Sequence, residues 1–181
     1  HVDPGEVTKF GEWLGTTYGV SVTEHRGKIH DYLGMILDFS AEGQVMINMT
    51  NYIQTIIEEF PEEIMGTRAT PAADHLFKVR DESEARPLPE EQARQFHHAV
   101  AQLLFLSARA RRDIQPATAF LTTRVKSPDE DDWGKLKRVL QYLKGTIHMP
   151  LVLSADSLTL QRWWVDAAYA VHEDCRGHTG A

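Results

Sequence analysis

Residues 127–146 read SPDEDDWGKLKRVLQYLKGT and contain the clearest helix signal in the chain. Four acidic residues follow Pro128, and Lys144 and Gly145 stand at the far end. This charge order suits the helix dipole, and glycine is a common helix stop. The apolar residues recur at helical spacing on one stripe, namely Trp133, Leu136, Val139, Leu140 and Leu143. The stretch therefore predicts a helix from just after Pro128 to Gly145 with one buried face.

Two more helices are predicted immediately upstream. The first covers about 90–111, and its apolar face holds Phe96, Val100, Leu103, Leu104 and Ser107. The second begins near Asp113, an acceptable N-cap, and carries Ile114, Ala117, Phe120 and Leu121. We therefore expect three consecutive helices over residues 90–144, and a sheet in that stretch would contradict the prediction.

The first 60 residues predict a helix, a hairpin and a second helix. Residues 7–18 have helical spacing and are followed by Gly19 as a stop. Residues 29–49 hold two runs of strand formers around a turn in which Gly43 can take a positive φ, so we predict an antiparallel hairpin. Residues 51–60 carry an apolar helical stripe that ends before Pro61. The proline-containing residues 61–89 predict an extended connection with little regular structure.

The tail begins a different pattern at residues 158–181, LTLQRWWVDAAYAVHEDCRGHTGA. Trp163, Trp164 and Val165 run into Asp166, which predicts a buried strand that delivers one carboxylate at its end, then a turn and a second strand. An acid after such a run is usually paired, exposed or bound to a metal. We interpret Trp133 and Trp163 as core residues.

Composition limits the classes of function. The formal net charge of -7 argues against a chain that binds nucleic acid over its whole surface. Residues 107–146, which we call the basic belt, hold nine Lys or Arg against five Asp or Glu. The belt could face a polyanion, but on charge alone solvated helix faces are the favoured reading. No apolar run approaches the roughly 20 residues needed to cross a bilayer, and no signal peptide is evident.

Cysteine and histidine usage is sparse. Cys175 is the sole cysteine, so an internal disulfide is excluded and a reducing compartment is favoured. His172, Cys175 and His178 suggest zinc ligands, but three such residues are an incomplete set, and polar turn residues are the default interpretation.

Six blocks in order resemble the reverse transcriptase of copia-type LTR retrotransposons. They are DYLGM at 31–35, TNYIQTIIEEF at 50–60, Thr70-Pro71, the segment 96–125 with its Arg-Asp-Ile turn, DDWGKLKRVLQYLKGT at 131–146, and WWVDAAYAVHEDCRGHTGA at 163–181. The resemblance implies an α+β fold in three parts. Residues 1–50 would end the polymerase palm with a primer-grip-like hairpin, 51–147 would form a mainly helical thumb and connection, and 148–181 would open a truncated ribonuclease H-like domain.

The resemblance also implies a parent enzyme that synthesises DNA on RNA and hydrolyses the RNA strand with Mg²⁺. Asp166 would be its catalytic magnesium ligand, whereas the local pattern alone favours a strand-end Asp that caps a turn. The family's Tyr-Val-Asp-Asp motif is absent, and His1-Val2-Asp3-Pro4 has proline in place of the second acid. We expect that motif to lie upstream, so that this chain is a fragment, inactive alone. The alternative is a non-enzymatic nucleic-acid-binding or scaffolding protein derived from a retroelement.

The implied partners are an RNA–DNA or DNA primer–template duplex and the remainder of the polyprotein, with no membrane, in the cytoplasm or nucleus. The hairpin residues Leu33, Gly34 and Met35 and the helix residues Ala101, Gln102 and Phe105 would lie nearest the duplex. The family usually has glycine where this chain has Ala101. Phosphate contacts are expected from Arg109, Arg111, Arg112, Lys135 and Lys137. Ion pairs of Arg109 and Arg112 with Asp113 or with the acids near 129–131 are an equally weighted alternative.

Overall fold

The computed structural model describes residues 3–81, 83–157, 159–169 and 178–180. The helices are α1 Pro4–Tyr18, α2 Thr50–Glu59, α3 Glu90–Arg109, α4 Gln115–Arg124 and α5 Glu130–Gly145. The strands are β1 Ile29–Tyr32, β2 Met35–Asp38, β3 Gln44–Asn48, β4 Leu151–Ser154, β5 Asp166–Ala168 and β6 His178–Gly180. A 3₁₀ turn, Arg112–Ile114, joins α3 to α4. This mixture of helix and strand is compatible with the expected α+β class, and the three predicted helices over residues 90–144 are confirmed.

Strands β1 to β4 form one antiparallel sheet in chain order. The predicted hairpin over residues 29–49 is therefore correct in direction but has three strands instead of two. The extra turn is at Leu33 and Gly34, whose φ values of 53° and 75° make a two-residue turn with positive φ at both positions. Gly43 also has a positive φ, as predicted.

Strand β4 closes the other edge of this sheet. It pairs with β3, with Val45 opposite Leu153 and Ile47 opposite Leu151. The sequence placed this segment in the opening of a separate domain from residue 148, whereas its hydrogen bonds join it to the hairpin. The two-stranded pair of β5 and β6 forms a second sheet.

The main core lies among α2, α3, α4 and α5. Its fully buried side chains include Phe96, Leu103, Leu106, Ile114, Leu121, Leu136, Leu140 and Leu143. Helix α5 begins with a capping box, in which Asp129 accepts from the backbone N–H of Asp132 at 2.9 Å and Asp132 accepts from that of Asp129 at 3.1 Å. This box fixes the start of α5, so that its apolar stripe faces the core.

Trp133 is buried in that core, as predicted, and stacks on Phe60 with ring centroids 4.9 Å apart. Trp163 contradicts its prediction, because it is 78% exposed. Residues 161–165 are not a strand, and β5 begins only at Asp166. An apolar run becomes a buried strand only when a second layer covers it, and no described residue covers this one.

The connection of residues 61–89 lies along α5. It has no helix and, among its described residues, only an isolated bridge between Pro87 and Asp129. Polar side chains of α5 donate to its backbone carbonyls, with Lys144 to Ile64 at 2.6 Å, Gln141 to Met65 at 2.8 Å and Lys135 to Lys78 at 2.6 Å. These bonds satisfy carbonyls that no regular structure pairs, so α5 fixes the path of the connection.

Candidate nucleic-acid interface

The turn between β1 and β2 borders a surface hollow of about 260 Å³. Asp31, Gly34 and Ile36 form its strand side, and the start of α2 from Thr50 to Tyr52 forms the other. Leu33 projects beside it as an exposed residue, and Met35 packs partly against the core. Of the predicted hairpin residues, Leu33 and Gly34 are therefore available at the surface, and Met35 mainly anchors the hairpin.

Tyr52 links this hollow to α3. Its ring lies 5.2 Å from that of Phe105, and the Arg109 guanidinium lies 3.6 Å from the centre of the Phe105 ring on α3. Burial, then the charge of Glu59, raises the pKa of Tyr52 although Arg109 opposes it, so the phenol stays neutral. Tyr52, Phe105 and Arg109 form a continuous row of half-buried planar groups, which we call the stacked row. Such groups suit contact with sugars and bases, and Arg109 adds charge.

Ala101 and Gln102 lie on α3, one turn before Phe105. Ala101 is exposed, and its methyl group is the only side-chain atom between the backbone and solvent. Gln102 Nε2 donates to Glu59 Oε2 at 2.7 Å, which ties α3 to α2. Glu59 brings a negative charge to this end of the surface, so phosphate contact is favoured nearer Arg109 than Gln102.

Arg109 keeps its charge accessible. Its Nη1 donates to the carbonyl of Phe105 at 3.2 Å, and among the described residues it forms no ion pair. The predicted pairing of Arg109 with an acid is therefore absent from the described part of the chain. Arg112, in the 3₁₀ turn after α3, is exposed, and its side chain has no hydrogen bond or ion pair to a described residue.

Arg111 occupies a different position, with 1% of its side chain exposed. Its Nε and Nη2 donate to the carboxylate of Asp113 at 3.0 and 2.7 Å, and its Nη1 donates to the carbonyl of Thr146 at 3.0 Å. Tyr142 donates to the same carboxylate at 2.7 Å. This buried network joins the start of α4 to the end of α5. The expected phosphate contact by Arg111 does not fit this position, because its donors are used and covered.

The same network sets the charge state of Asp113. Burial works to raise the pKa of Asp113, but hydrogen bonds from Arg111 and Tyr142 and the guanidinium charge together hold it below its ordinary value. The ion pair is therefore charged throughout the neutral range. Acid pairing of Arg109 and Arg112 is one of the two evenly weighted alternatives from the sequence, and in the structure it is their neighbour Arg111 that pairs with Asp113.

Lys135 and Lys137 are also engaged internally. Lys135 is buried, where its Nζ donates to the carbonyl of Lys78 and pairs with Asp131 at 2.8 Å. Lys137 is half-exposed and pairs with Glu62 at 2.6 Å. The hydrogen bond from Lys137 holds the pKa of Glu62 below its ordinary value, with burial opposing and a bond from Trp133 assisting. Lys135 is thus not placed to reach a phosphate, and Lys137 would first have to leave its carboxylate partner.

Asp166 begins β5 as an exposed residue, and its Oδ1 accepts from the backbone N–H of Ala167 at 2.8 Å. In the described residues no three His, Cys, Asp or Glu side chains are grouped as a metal site. Mg²⁺ in a two-metal centre needs several oxygen ligands, so Asp166 with its described surroundings does not make that site. His172 and Cys175 lie outside the described residues, as does the side chain of His178.

Tyr52 is the residue of this surface that the sequence pattern does not identify. Its position matches the apolar stripe of α2 at helical spacing, as that of a core residue would. The signal that could have distinguished it is its hydroxyl, which is poorly suited to a closed core. Its partner Phe105 lies 53 positions further along the sequence, so the contact itself was beyond local patterns.

Two transposon proteins are among the curated proteins that are similar to this chain. A retrovirus-related Pol polyprotein from transposon TNT 1-94 of Nicotiana tabacum is 24% identical over 129 residues, which cover 66% of this chain and 9% of the polyprotein. A putative transposon Ty5-1 protein of Saccharomyces cerevisiae is 25% identical over 156 residues, 85% of this chain and 49% of that protein. The chain thus spans about half the length of the yeast protein and far less of the tobacco one. This similarity supports a retrotransposon origin.

No protein-family model matches the chain, and no solved structure matches it. In the part of the chain that the structure describes, no helix combines the length and apolar character needed to span a bilayer.

Proposed function

We propose that this chain is the C-terminal part of a copia-type reverse transcriptase and helps to hold a primer–template duplex. Residues 1–50 belong to the palm edge, 51–147 to the thumb, and the tail from 148 leads into ribonuclease H. The observation that carries the proposal is the continuity of one surface. Two motifs separated in sequence, at 31–35 and 101–109, border that surface and are joined by Tyr52. The order of the six sequence blocks and the similarity to transposon polyproteins support the same assignment.

The proposed contact is with the shape and backbone of the duplex rather than with its sequence. Phe105 and Tyr52 present ring faces, Arg109 presents a guanidinium with no competing carboxylate among the described residues, and Arg112 follows it. Phosphate and sugar contacts position a protein on a duplex without reading bases. With Arg111, Lys135 and Lys137 engaged internally, only a few cations of the basic belt remain to contact phosphate, so binding by this chain alone is weak.

Titration of the chain with an RNA–DNA hybrid at several salt concentrations tests the proposal. Each lost phosphate contact should reduce the log–log salt slope by roughly 0.9 for a B-form duplex and somewhat differently for a hybrid. Arg109→Gln should therefore weaken binding and flatten the slope. Phe105→Ala should weaken binding at every salt concentration while leaving the slope unchanged, because it removes a ring and no charge.

Arg86→Gln is the matched control, since it removes an exposed arginine whose ion pair with Glu130 is long, at 3.7 Å. It should leave the affinity close to that of the unmodified chain. If Arg86→Gln weakens binding as much as Arg109→Gln does, binding is diffuse and the proposed surface is wrong.

A second experiment concerns catalysis. We expect the purified chain with Mg²⁺ or Mn²⁺ to extend no primer, because the Tyr-Val-Asp-Asp motif is absent from this sequence. We also expect it to cut no RNA–DNA hybrid, because Asp166 is the only ribonuclease H carboxylate that the six-block resemblance assigns to this sequence. Primer extension that persists in a preparation free of host polymerases would overturn the expectation of an inactive fragment. Hybrid cleavage that persists in a preparation free of host nucleases would also overturn it, and its loss in Asp166→Asn would assign that cleavage to this chain.

A further inference from the structure

A second groove lies between α5 and residues 68–76 of the connection. Its volume is about 260 Å³, and it shares no residue with the proposed duplex surface. Pro71, Ala72 and Leu76 supply an apolar wall. Gly134 contributes to the α5 side, where an added Cβ would meet no atom within 4 Å, so this side is open.

The groove is positively charged. Arg68, Lys135 and Arg138 line it together with a single carboxylate, that of Asp131, which gives a formal net charge of +2 when His75 is neutral. Asp131 is already engaged by Lys135 at 2.8 Å and lies 3.9 Å from Arg80. The carboxylate of Asp131 therefore does not neutralise Arg68 or Arg138.

Both arginines bond only to neutral acceptors within the described residues. Arg68 Nε donates to Gln141 Oε1 at 3.2 Å, and Arg138 Nη2 donates to Thr70 Oγ1 at 2.9 Å. The Nε of Arg138 is buried and has no acceptor among the described atoms. A buried donor of a charged group without an acceptor costs free energy, and such a group in a folded protein calls for a bound water or ion.

We propose that this groove binds a phosphate group, with Arg68 and Arg138 as its donors. Guanidinium groups match the geometry of phosphate oxygens and form strong charge-assisted hydrogen bonds with them. A small movement of the partly exposed Arg138 side chain brings its covered Nε to a phosphate oxygen in the groove, which then supplies the missing acceptor. The apolar wall of Pro71, Ala72 and Leu76 accommodates the organic part of a phosphate ester. The phosphate can come from a free nucleotide or from a nucleic-acid strand, which present the same chemistry. The proposal does not rest on the duplex surface.

The test follows the side-chain Nε–H resonances of arginine by NMR during titration with inorganic phosphate, a nucleoside 5′-monophosphate and a short single-stranded oligonucleotide. Sodium chloride at matched ionic strength is the reference. We expect the Arg138 Nε–H signal to move in a saturable way with phosphate and not with chloride. Competition of the oligonucleotide at the same signal identifies a strand as the source, whereas a response to the small ligands alone identifies a free nucleotide or phosphate. A signal that moves equally with chloride, or that does not saturate, overturns the proposal and leaves a bound water as the acceptor.

Arg68→Gln removes one guanidinium from the groove and leaves a polar, uncharged side chain in its place. We expect it to weaken phosphate binding about tenfold or more, the effect of one strong charge-assisted contact. Arg138→Lys keeps the charge but removes the planar fork, so it should also weaken binding. Arg86→Gln again serves as the control and should change nothing. Unchanged phosphate affinity in folded Arg68→Gln would contradict the proposal.

Two readouts separate this groove from the duplex surface. Arg109→Gln should weaken hybrid binding while the Arg138 Nε–H response to phosphate stays the same. Arg68→Gln should weaken the binding of inorganic phosphate while hybrid binding stays the same. Failure of one proposal therefore leaves the other testable, and far-UV circular dichroism of each variant verifies that the helices are retained.

Discussion

The helical body of residues 50–147 and the sheet that flanks it use similar apolar residues with different results. Leu140 of α5 is 0% exposed, whereas Leu153 of β4 is 49% exposed. The tryptophans differ in the same way, with Trp133 buried in the core and Trp163 exposed in the tail. Helices α2 to α5 cover one another, but no described element forms a full second layer over the sheet. The comparison teaches that burial depends on the partner layer and not on the residue type alone.

The largest expected difference between the two regions concerns core leucines. Leu140→Ala should lower the free energy of unfolding by about 2–5 kcal/mol, because it removes fully buried atoms and leaves a cavity. Leu153→Ala, the matched change on the sheet, should cost under about 1 kcal/mol. Urea denaturation followed by circular dichroism measures both. Equal losses would mean that the sheet is as tightly packed in solution as the body.

The second difference concerns neighbouring arginines. Arg111→Ala should cost about 3 kcal/mol, because it removes a buried guanidinium with all its hydrogen bonds and leaves the carboxylate of Asp113, 27% exposed, without its charged partner. Arg112→Ala removes the adjacent exposed arginine and should change stability by less than about 0.5 kcal/mol. Joint replacement of Arg111, Lys135 and Lys137 by alanine should unfold or strongly destabilise the chain. Charge alone would predict a harmless change. A thermal melt of the three variants checks these outcomes, and a stable triple variant would refute the buried network.

A smaller effect is expected in acid. The pKa of Asp113 is lowered in the folded state, so its contribution to stability is complete above the ordinary aspartate value of about 3.9 and is lost as pH falls through the lower folded value. Asp113→Asn should therefore make the acid-side loss of stability shallower. The pKa of Asp132 is raised, mainly by burial, so Asp132→Asn should have the opposite effect on the slope. Urea unfolding at a series of acidic pH values measures both.

Asp38 is the residue on the sheet that corresponds to Asp113, because its pKa is also lowered. A hydrogen bond from Ser40 lowers its pKa, but the residue lies in a solvated position where its charge is screened. Asp38→Asn should leave the acid-side slope nearly unchanged. A change as large as that of Asp113→Asn would contradict the difference between the two regions.

The smallest predicted effect concerns Lys137. Its pair with Glu62 is half-exposed, so Lys137→Met should cost only about 0.2–1 kcal/mol. Lys126→Met, which removes an exposed lysine with no hydrogen bond or ion pair to a described residue, is the control and should be neutral. Denaturation at low and high salt measures the free energy of unfolding of both variants. The difference between them should shrink at high salt, because salt screens the ion pair.

The features that were predictable from sequence are local ones. The acids at the start of α5, its apolar stripe and its end at Gly145 lie within one helix, and each acts on its nearest neighbours. Gly19 and Gly43 take the positive φ values expected of glycine stops and turns. The non-glycine residue Leu33 also adopts a positive φ, and no local signal marked it, because the Leu-Gly pair offers an obvious turn residue only at Gly34.

The contacts of the basic residues were not predictable, because their partners are distant in the sequence. Lys135 bonds to the carbonyl of Lys78, and Lys137 to Glu62, in a connection that has no periodicity. A lysine that holds a loop and a lysine that faces solvent have the same local pattern. Prediction of the proposed duplex surface was limited in the same way. The six-block resemblance identified Phe105 and Gly34, but it could not reveal the contact through Tyr52.

The bonds from α5 to the connection also have a consequence for synthesis of the chain. Residues 61–80 leave the ribosome long before α5 does, and the α5 side chains that hold their carbonyls lie 57 to 80 positions further along. During translation these backbone carbonyls therefore lack their partners until α5 has emerged, and contacts so distant in sequence form slowly. We expect nascent chains that stop before α5 to be cut by proteases within residues 61–89, and completed chains to resist cleavage there.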